Sequence, residues 1–241
     1  MAALTEGQVE HYWREGYVVA QRLVSPSSVE TVLRAAADRE VHESGRWQAR
    51  IFEHDEPEKD AAVHRLLVEP SVTAAVRDIF NAPPRVFYGM LAVVPARGGN
   101  GLPWHQDNQY SLVLGGALNV FIALCDITPD KANLWVAPRS HRWGVQSSKS
   151  NETTAPGHRE AAVEPDNGIP LPTLRAGDVC IFDRNTYHRS LTNDTDEHRY
   201  AYAAQFGNEN ARQAETGKKD PRWMLASDLR ERWQRAGLLG E

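Results

Sequence analysis

His105 and Asp107, two residues apart in LPWHQDNQY, are the side chains whose types and spacing first suggest chemistry. In extended chain, residues i and i+2 point to the same side, so this pair offers one imidazole nitrogen and one carboxylate oxygen to a divalent metal. One further histidine completes the two-histidine, one-carboxylate set typical of non-haem iron(II) oxygenases. An isolated H-x-D is weak evidence, because a surface turn produces the same pattern. The supporting pattern lies far downstream, in DRNTYHRSLTNDTDEHRYAYAAQF, where His188 is followed by Ser190 and then by Arg199 at the start of an aromatic-rich segment. An arginine on the strand beside the distal histidine can grip a carboxylate through two parallel hydrogen bonds, and Ser190 can add a hydroxyl. A dicarboxylic co-substrate bound end-on to a metal needs such a clamp at its far end, whereas an iron dioxygenase using no keto acid has no evident use for one.

The elements that must position these residues fall into two halves. Residues 5–15 are predicted as a helix with Thr5 as N-cap and Val9, Tyr12 and Trp13 on one side. Gly16 ends it, YVVAQRLV reads as a short strand, and SPSSVETVLRAAADREVHES as a second helix. Segment 44–60 is polar and acid-rich and reads as an exposed loop or flap. Helical periodicity returns over 61–80, with Pro70 splitting the run. From Pro83 onward short runs rich in Val, Phe, Ile and Tyr alternate with Gly, Pro and Asn, predicting strands at 85–94, 110–114, 117–125, 133–137, 171–174, 178–183, 186–190 and 198–207. No strand–helix alternation occurs there, so the fold class is mainly β with flanking helices (α+β), an antiparallel sandwich or barrel. One domain is expected over 1–241: a mainly helical support and flap (1–82), a β core (83–207) and a C-terminal cap (208–241). That last segment could cap the barrel, cover the pocket or mediate self-association.

Composition narrows the partners. A chain of 241 residues with 41% hydrophobic residues suits one globular unit, and a net charge of −5 argues against nucleic acid. No stretch approaches the roughly 18 apolar residues of a membrane span, and the N-terminus lacks the features of a secretory signal. Cys125 and Cys180 sit in apolar runs without disulfide or metal-site spacing, so a cytoplasmic, reducing setting is expected. Monomer and homodimer both remain open.

Nearly the whole chain resembles the phytanoyl-CoA dioxygenase family. The opening LTEGQVEHYWREGYVVAQRLVSPSSVETV is similar to that family's helix–strand–helix entry, and WHQD to its proximal metal motif. ALNVFIALCDIT matches its central strand, ANLWVAPRSHRWG its G-x-L-x-V-x-P-G-S-H segment, and H-x-S with the later arginine its distal motif. Asn133 and Arg139 stand where the family usually has glycines, and Phe121 where a tryptophan is frequent. The resemblance implies a double-stranded β-helix (a cupin-like jelly roll) in which His105, Asp107 and His188 hold Fe(II). It also implies that 2-oxoglutarate and O2 are co-substrates, with succinate and CO2 released as a substrate C–H is oxidised, most commonly by hydroxylation. Arg199 and Ser190 are expected at the distal 2-oxoglutarate carboxylate, with Asn119, Phe121 and Met90 on neighbouring inward faces. Related halogenases carry Gly or Ala in place of Asp107, so halogenation is not expected.

Family analogy sets Asn108, Gln109, Tyr110, Arg50 and Phe52 at the open face of the metal as candidate substrate contacts, and Trp104 and Gln106, the immediate neighbours of His105, are further candidates, Trp104 as a pocket wall. The acid-rich EHDEPEKD reads as a solvated loop or, functionally, as a recognition element for a cationic or polyhydroxylated small molecule. The charge balance does not favour a CoA thioester, and oxidative tailoring of a small metabolite is the expected role. The competing readings are a non-catalytic β-helix binding module and an iron dioxygenase that uses no keto acid.

Overall fold

A two-residue hydrophobic period along the central strands builds two cores on opposite faces of one sheet. The computed structural model describes residues 2–37, 48–152 and 157–239. In chain order its helices are α1 (Glu6–Glu15), α2 (Pro26–Ala37), α3 (Ala61–His64), α4 (Pro70–Phe80) and α5 (Ala226–Arg235). Its strands are β1 (Tyr17–Ala20), β2 (Gln48–Ile51), β3 (Arg85–Val94), β4 (Val113–Leu114), β5 (Ala117–Ala123), β6 (Leu134–Val136), β7 (Ser148–Asn151), β8 (His158–Ala161), β9 (Ile169–Pro170), β10 (Val179–Asp183), β11 (His188–Ser190), β12 (Arg199–Gly207), β13 (Arg212–Gln213) and β14 (Met224–Leu225). Antiparallel pairing orders the large sheet β1-β10-β5-β12-β3-β14, with β2 also on β3, and a small sheet β11-β6-β9.

Because side chains alternate across a strand, Leu118, Val120 and Ile122 of β5 and Tyr202, Ala204 and Phe206 of β12 face the helices, joining Val32, Val76 and Trp233 in the main core. Phe121, Ala123, Cys180, Phe182 and Ala201 face the other way and pack on Leu134, Val136, Leu171 and Leu174, closing the two sheets face to face as a jelly roll. Each fully buried large side chain contributes about 1.5–3 kcal/mol. The alternation on β3 changes phase at Phe87. The register slips from Gln205↔Tyr88 to Phe206↔Val86, leaving Phe87 as an extra residue. Val86, Leu91 and Val93 therefore pack on the helical side, while Tyr88, Met90, Ala92 and Val94 face the cavity.

Local signals explain the supports. In α1 the Thr5 hydroxyl accepts from Gln8 N while Gln8 Oε1 accepts from Thr5 N (2.9 Å), a capping box, and Gly16 (φ 84) closes the helix by donating to Tyr12 O. Pro70 splits the 61–80 run as expected, opening α4 after a separate turn at Arg65–Val68. Arg139 adopts φ 68, a conformation costing about 1 kcal/mol or more for a non-glycine residue. Two hydrogen bonds from its guanidinium to Glu15 (2.9 and 3.1 Å) and one from its backbone N to Glu15 O (2.7 Å) anchor it there.

Several expectations need correction. Within the segment expected as a flap, 44–47 lies outside the described residues. Its remainder is not loop throughout: β2 pairs with β3 along Gln48–Ile51, and Phe52 N donates to Gly89 O (2.8 Å). The strand expected at 171–174 is replaced by β9 at Ile169–Pro170, with Leu174 making only an isolated bridge to Ile127. The hairpin β7–β8 was not anticipated, because its residues are polar and carry no apolar alternation. The C-terminal segment adds β13 to β4 and β14 to β3. It then sends Leu229 and Trp233 of α5 into the helical core rather than over the cavity, with Trp233 Nε1 donating to Pro57 O (2.8 Å).

Candidate active site

His105 and His188 meet through their backbones before their side chains do anything. Each N–H donates to the other's carbonyl at 3.0 Å, an antiparallel bridge that sets the imidazole centroids 4.1 Å apart. Asp107 is not on a strand, contrary to expectation. Gln106 is extended (φ −119, ψ 139) and Asp107 is the first residue of a short 3-10 turn, Asp107–Gln109. One extended residue suffices to bring the carboxylate to the histidines' side: Asp107 Oδ1 lies 3.7 Å from His105 Nε2 and 3.8 Å from His188 Nε2. Donor atoms of all three residues lie within 4.8 Å of one another, close enough to share one ion.

The electrostatics suit a divalent metal. His105 Nδ1 sits 2.7 Å from Pro103 O and His188 Nδ1 3.0 Å from Thr186 O. A carbonyl accepts only, so each Nδ1 carries hydrogen and each Nε2 presents a lone pair to the cluster. Burial, aided by the nearby His188, pulls the His105 imidazole down to about 3, so it is neutral at ordinary pH. Burial pushes the Asp107 carboxyl up, but His188, Arg184 and His105 outweigh it and leave the group below its ordinary range. Two imidazoles beside an ionised carboxylate form a donor set for a hard or borderline cation.

A cavity of about 520 Å³ opens on this cluster, and Arg199 lines it with Ser190, Asn119, Phe121 and Met90. Arg199 is 4% exposed, and its Nε and Nη1 have no hydrogen-bond partner. The ring of Phe121 lies 5.6 Å from its guanidinium carbon. Burial draws this guanidinium down to about 10, still a cation at neutral pH. A buried cation with unused donors costs several kcal/mol unless an anion meets it, so the residues present fit a carboxylate at this end and a metal at the other. Asn119 adds a buried amide that makes no close hydrogen bond and lies near enough to Asp107 to help hold its carboxyl low. Ser190 Oγ accepts from Leu102 N (2.9 Å), keeping its own hydrogen for a ligand. A Cβ on Gly101 would fall 2.4 Å from Ser190 O and 2.5 Å from Ser190 Oγ, which accounts for glycine there.

Of the candidate substrate contacts, only Tyr110 lines the cavity. Its ring stands edge-on to His105, and its hydroxyl accepts from Arg159 N (2.9 Å) and lies 3.1 Å from His158 Nδ1. Trp104 turns to the opposite face from its neighbour His105, packing with Ala137, Ala161 and Tyr187 and stacking on Arg189. Gln106 is fully buried, tied to Gly144 O, Asn185 O and Gln146 N. Asn108 is buried in contact with Arg184, Asn185 and Val113. Arg50 pairs with Asp60 (2.8 Å), and Phe52 joins the core against His54, His64 and Trp233. Four of the five acids after Phe52 are engaged in pairs, Glu53 and Glu56 with Lys59, Glu58 with Arg232 and Asp60 with Arg50, Asp55 is exposed, and none lines the cavity. Several polar lining residues escaped the sequence reading, among them Tyr88, Ser111, His158, Arg189, Arg184 and Gln205. Gln205 shares strand parity with Arg199, a signal that could have found it. Arg184 lies in a turn, where no periodicity fixes side-chain direction.

Residues 12–201 match the model of the family described as Phytanoyl-CoA dioxygenase (PhyH). An ectoine dioxygenase of Nocardia farcinica is 27% identical over 218 residues, covering 78% of this chain and 72% of that protein. The epimerase SnoN, in complex with Fe3+, alpha ketoglutarate and nogalamycin RO, superposes with a TM-score of 0.74 at 20% identity over 92% of this chain and 98% of that one. EvdO2 of Micromonospora carbonacea var. aurantiaca, complexed with 2-oxoglutarate, superposes with a TM-score of 0.73 at 21% identity over 92% and 97%. With three metal donors and an unpartnered arginine in one jelly-roll cavity, the chain belongs to the phytanoyl-CoA dioxygenase family and is an Fe(II)- and 2-oxoglutarate-dependent dioxygenase.

Proposed function

We propose that this chain hydroxylates an unactivated C–H of a small-molecule metabolite in a biosynthetic tailoring step, consuming 2-oxoglutarate and O2 and releasing succinate and CO2. The observation that carries this reading is the buried, unpartnered Arg199 in the same cavity as the His105–Asp107–His188 set. Those three residues would hold iron(II), which when bound supplies the redox chemistry coupling co-substrate oxidation to substrate oxidation. Arg199 and Ser190 receive the distal carboxylate of 2-oxoglutarate, Asn119 offers its amide to the same ligand, and Phe121 and Met90 wall it from water. The pre-set Nε2 lone pairs remove any need to reorient an imidazole on metal binding.

The substrate end of the cavity favours an uncharged or ring-containing molecule. Ile51, Tyr88 and Tyr110 are aromatic or apolar walls, and Asp107 is the only carboxylate among the described lining residues. None of the acids of 53–60 lines the cavity, so Asp107 is the one carboxylate that a cationic substrate would meet among the described lining residues. The names of the relatives, an ectoine dioxygenase and an enzyme crystallised with nogalamycin RO, support small-molecule tailoring. The whole chain, 1–241, serves as one oxygenase unit: 1–82 supports the β core at 83–207, and 208–241 braces it. Among the described residues no helix is long and apolar enough to cross a membrane. Two free cysteines suit a reducing, cytoplasmic setting, and neither nucleic acid nor a second subunit is needed for the site. Succinate formation measured against a panel of metabolites tests the proposal. Stimulation by an uncharged cyclic metabolite, with matching oxygenated product, is expected; stimulation by acyl-CoA thioesters alone would overturn it.

A further inference from the structure

The amide of Gln205 sets which oxygen of Asp107 faces the histidines. Gln205 Nε2 donates to Asp107 Oδ2 at 2.8 Å, while Oδ1 is the atom 3.7 and 3.8 Å from the two imidazole nitrogens. A carboxylate with one oxygen so engaged is held to one-point coordination through the other. Side-chain amides can turn over, and the flipped Gln205 would set its oxygen against the Asp107 carboxylate. Arg184 prevents this. Its Nη1 donates to Gln205 Oε1, and because a guanidinium has no acceptor, only the oxygen end of the amide can face it.

Arg184 is itself fixed. It is 4% exposed, donating through Nε to Asn108 Oδ1 (2.9 Å) and through Nη2 to Ser111 O (2.9 Å) and Asp107 O (3.2 Å). Asn108 is fixed in turn, its Oδ1 accepting from Val113 N (3.1 Å) and its Nδ2 donating to Asn185 Oδ1 (2.8 Å). These bonds hold the turn bearing Asp107 as well as its carboxylate. The sheet sets the remaining partner, since Gln205 pairs with Asn119 on one side and Tyr88, beside the β3 bulge, on the other.

We infer that Gln205 and Arg184 are positioning residues of the metal centre, Gln205 reserving Asp107 Oδ1 for the ion and Arg184 fixing the orientation of the Gln205 amide. The inference rests on the metal-site reading above and assigns both residues a role beyond it. Loss of an outer hydrogen bond of this kind lowers metal affinity by roughly 10–100-fold.

The test is Co(II) titration of the metal-free protein, followed by its visible absorption, together with thermal denaturation of the same metal-free samples. Gln205→Leu keeps approximate size and lacks the donor, so its Co(II) affinity should fall about tenfold or more while its metal-free midpoint stays close to that of the unchanged protein. Gln205→Glu replaces the donor by a second carboxylate and should weaken binding or alter the spectrum. Arg184→Met, which disturbs a buried network, is compared in both backgrounds. If Arg184 acts through Gln205, it adds little further loss of affinity once Gln205 is leucine. Co(II) affinity of Gln205→Leu within twofold of the unchanged protein, with the same spectrum, overturns the inference, as does a loss matched by unfolding of the metal-free form. Failure of the unchanged protein to bind Co(II) would instead remove the metal-site reading, and this inference with it.

Discussion

Replacing Arg199 by methionine should weaken 2-oxoglutarate binding severely and yet stabilise the ligand-free protein. The guanidinium is 4% exposed, and Nε and Nη1 have no partner. Its pKa is depressed by burial from 12.5 to about 10. At about 1.4 kcal/mol per pH unit, that depression corresponds to about 3 kcal/mol of unfavourable charge burial. The destabilisation is complete at pH 7, where both folded and unfolded forms are protonated, and is relieved only as pH rises through about 10. Methionine removes the charge and keeps most of the volume. After subtracting about 0.5–1 kcal/mol for the lost contact with the Phe121 ring, the ligand-free protein should gain about 2 kcal/mol, or roughly 4–8 °C in thermal midpoint. A carboxylate meeting both free donors gains about 1.5–3 kcal/mol from each, so their loss should weaken 2-oxoglutarate binding by about 10²–10⁴-fold. Calorimetric titration of the metal-loaded protein reads the affinity, and a thermal melt of the ligand-free protein reads the stability. Affinity within threefold of the unchanged protein, or a melt lowered by several degrees, would refute the assignment of Arg199 as an anion clamp awaiting its ligand.

Two further outcomes follow from the same geometry. Because Arg199 stays cationic until about pH 10, 2-oxoglutarate affinity should be level from pH 7 to 9 and fall above about 10, by up to tenfold per pH unit. Titrations across that range check this, and a decline beginning near pH 7 would point to a different group. Phe52→Ala should cost about 3–5 kcal/mol of stability, read by denaturant unfolding. In the folded fraction it should leave KM for substrate nearly unchanged, because Phe52 packs on Trp233 and His64 rather than in the cavity.

How far the sequence could be read depended on whether a residue's direction followed from a period. His105 and His188 sit on paired backbone segments, and Arg199 shares strand parity with Ala201, Ala203 and Gln205, so their common destination was legible. Asn119, Phe121 and Met90 obeyed the same alternation. The error at Trp104 has the same origin: as the immediate neighbour of His105 it had to face away, and adjacency in sequence was given more weight than parity. Gln106 and Asn108 fail for that reason too, since they flank Asp107 and turn into the loops behind it. Phe52 and β2 were misread because an acid-rich context suggested solvent, whereas four of the five acids pair with Lys59, Arg50 and Arg232 and leave the apolar residues free to pack. Arg184 could not be found from sequence, since its hydrogen-bonding partners, Asp107, Asn108 and Ser111 in one turn and Gln205 on β12, are remote from it along the chain and meet it only in the folded protein.

The central claim is that three donors and one guanidinium form a single site for iron(II) and 2-oxoglutarate. Adding both to the protein under anaerobic conditions and recording the visible spectrum tests it most directly. The account predicts a weak charge-transfer band that forms with saturable dependence on 2-oxoglutarate and vanishes when Asp107 is replaced by alanine. An intact chain that binds both and develops no such band, or an Asp107→Ala protein that develops it unchanged, would contradict the site.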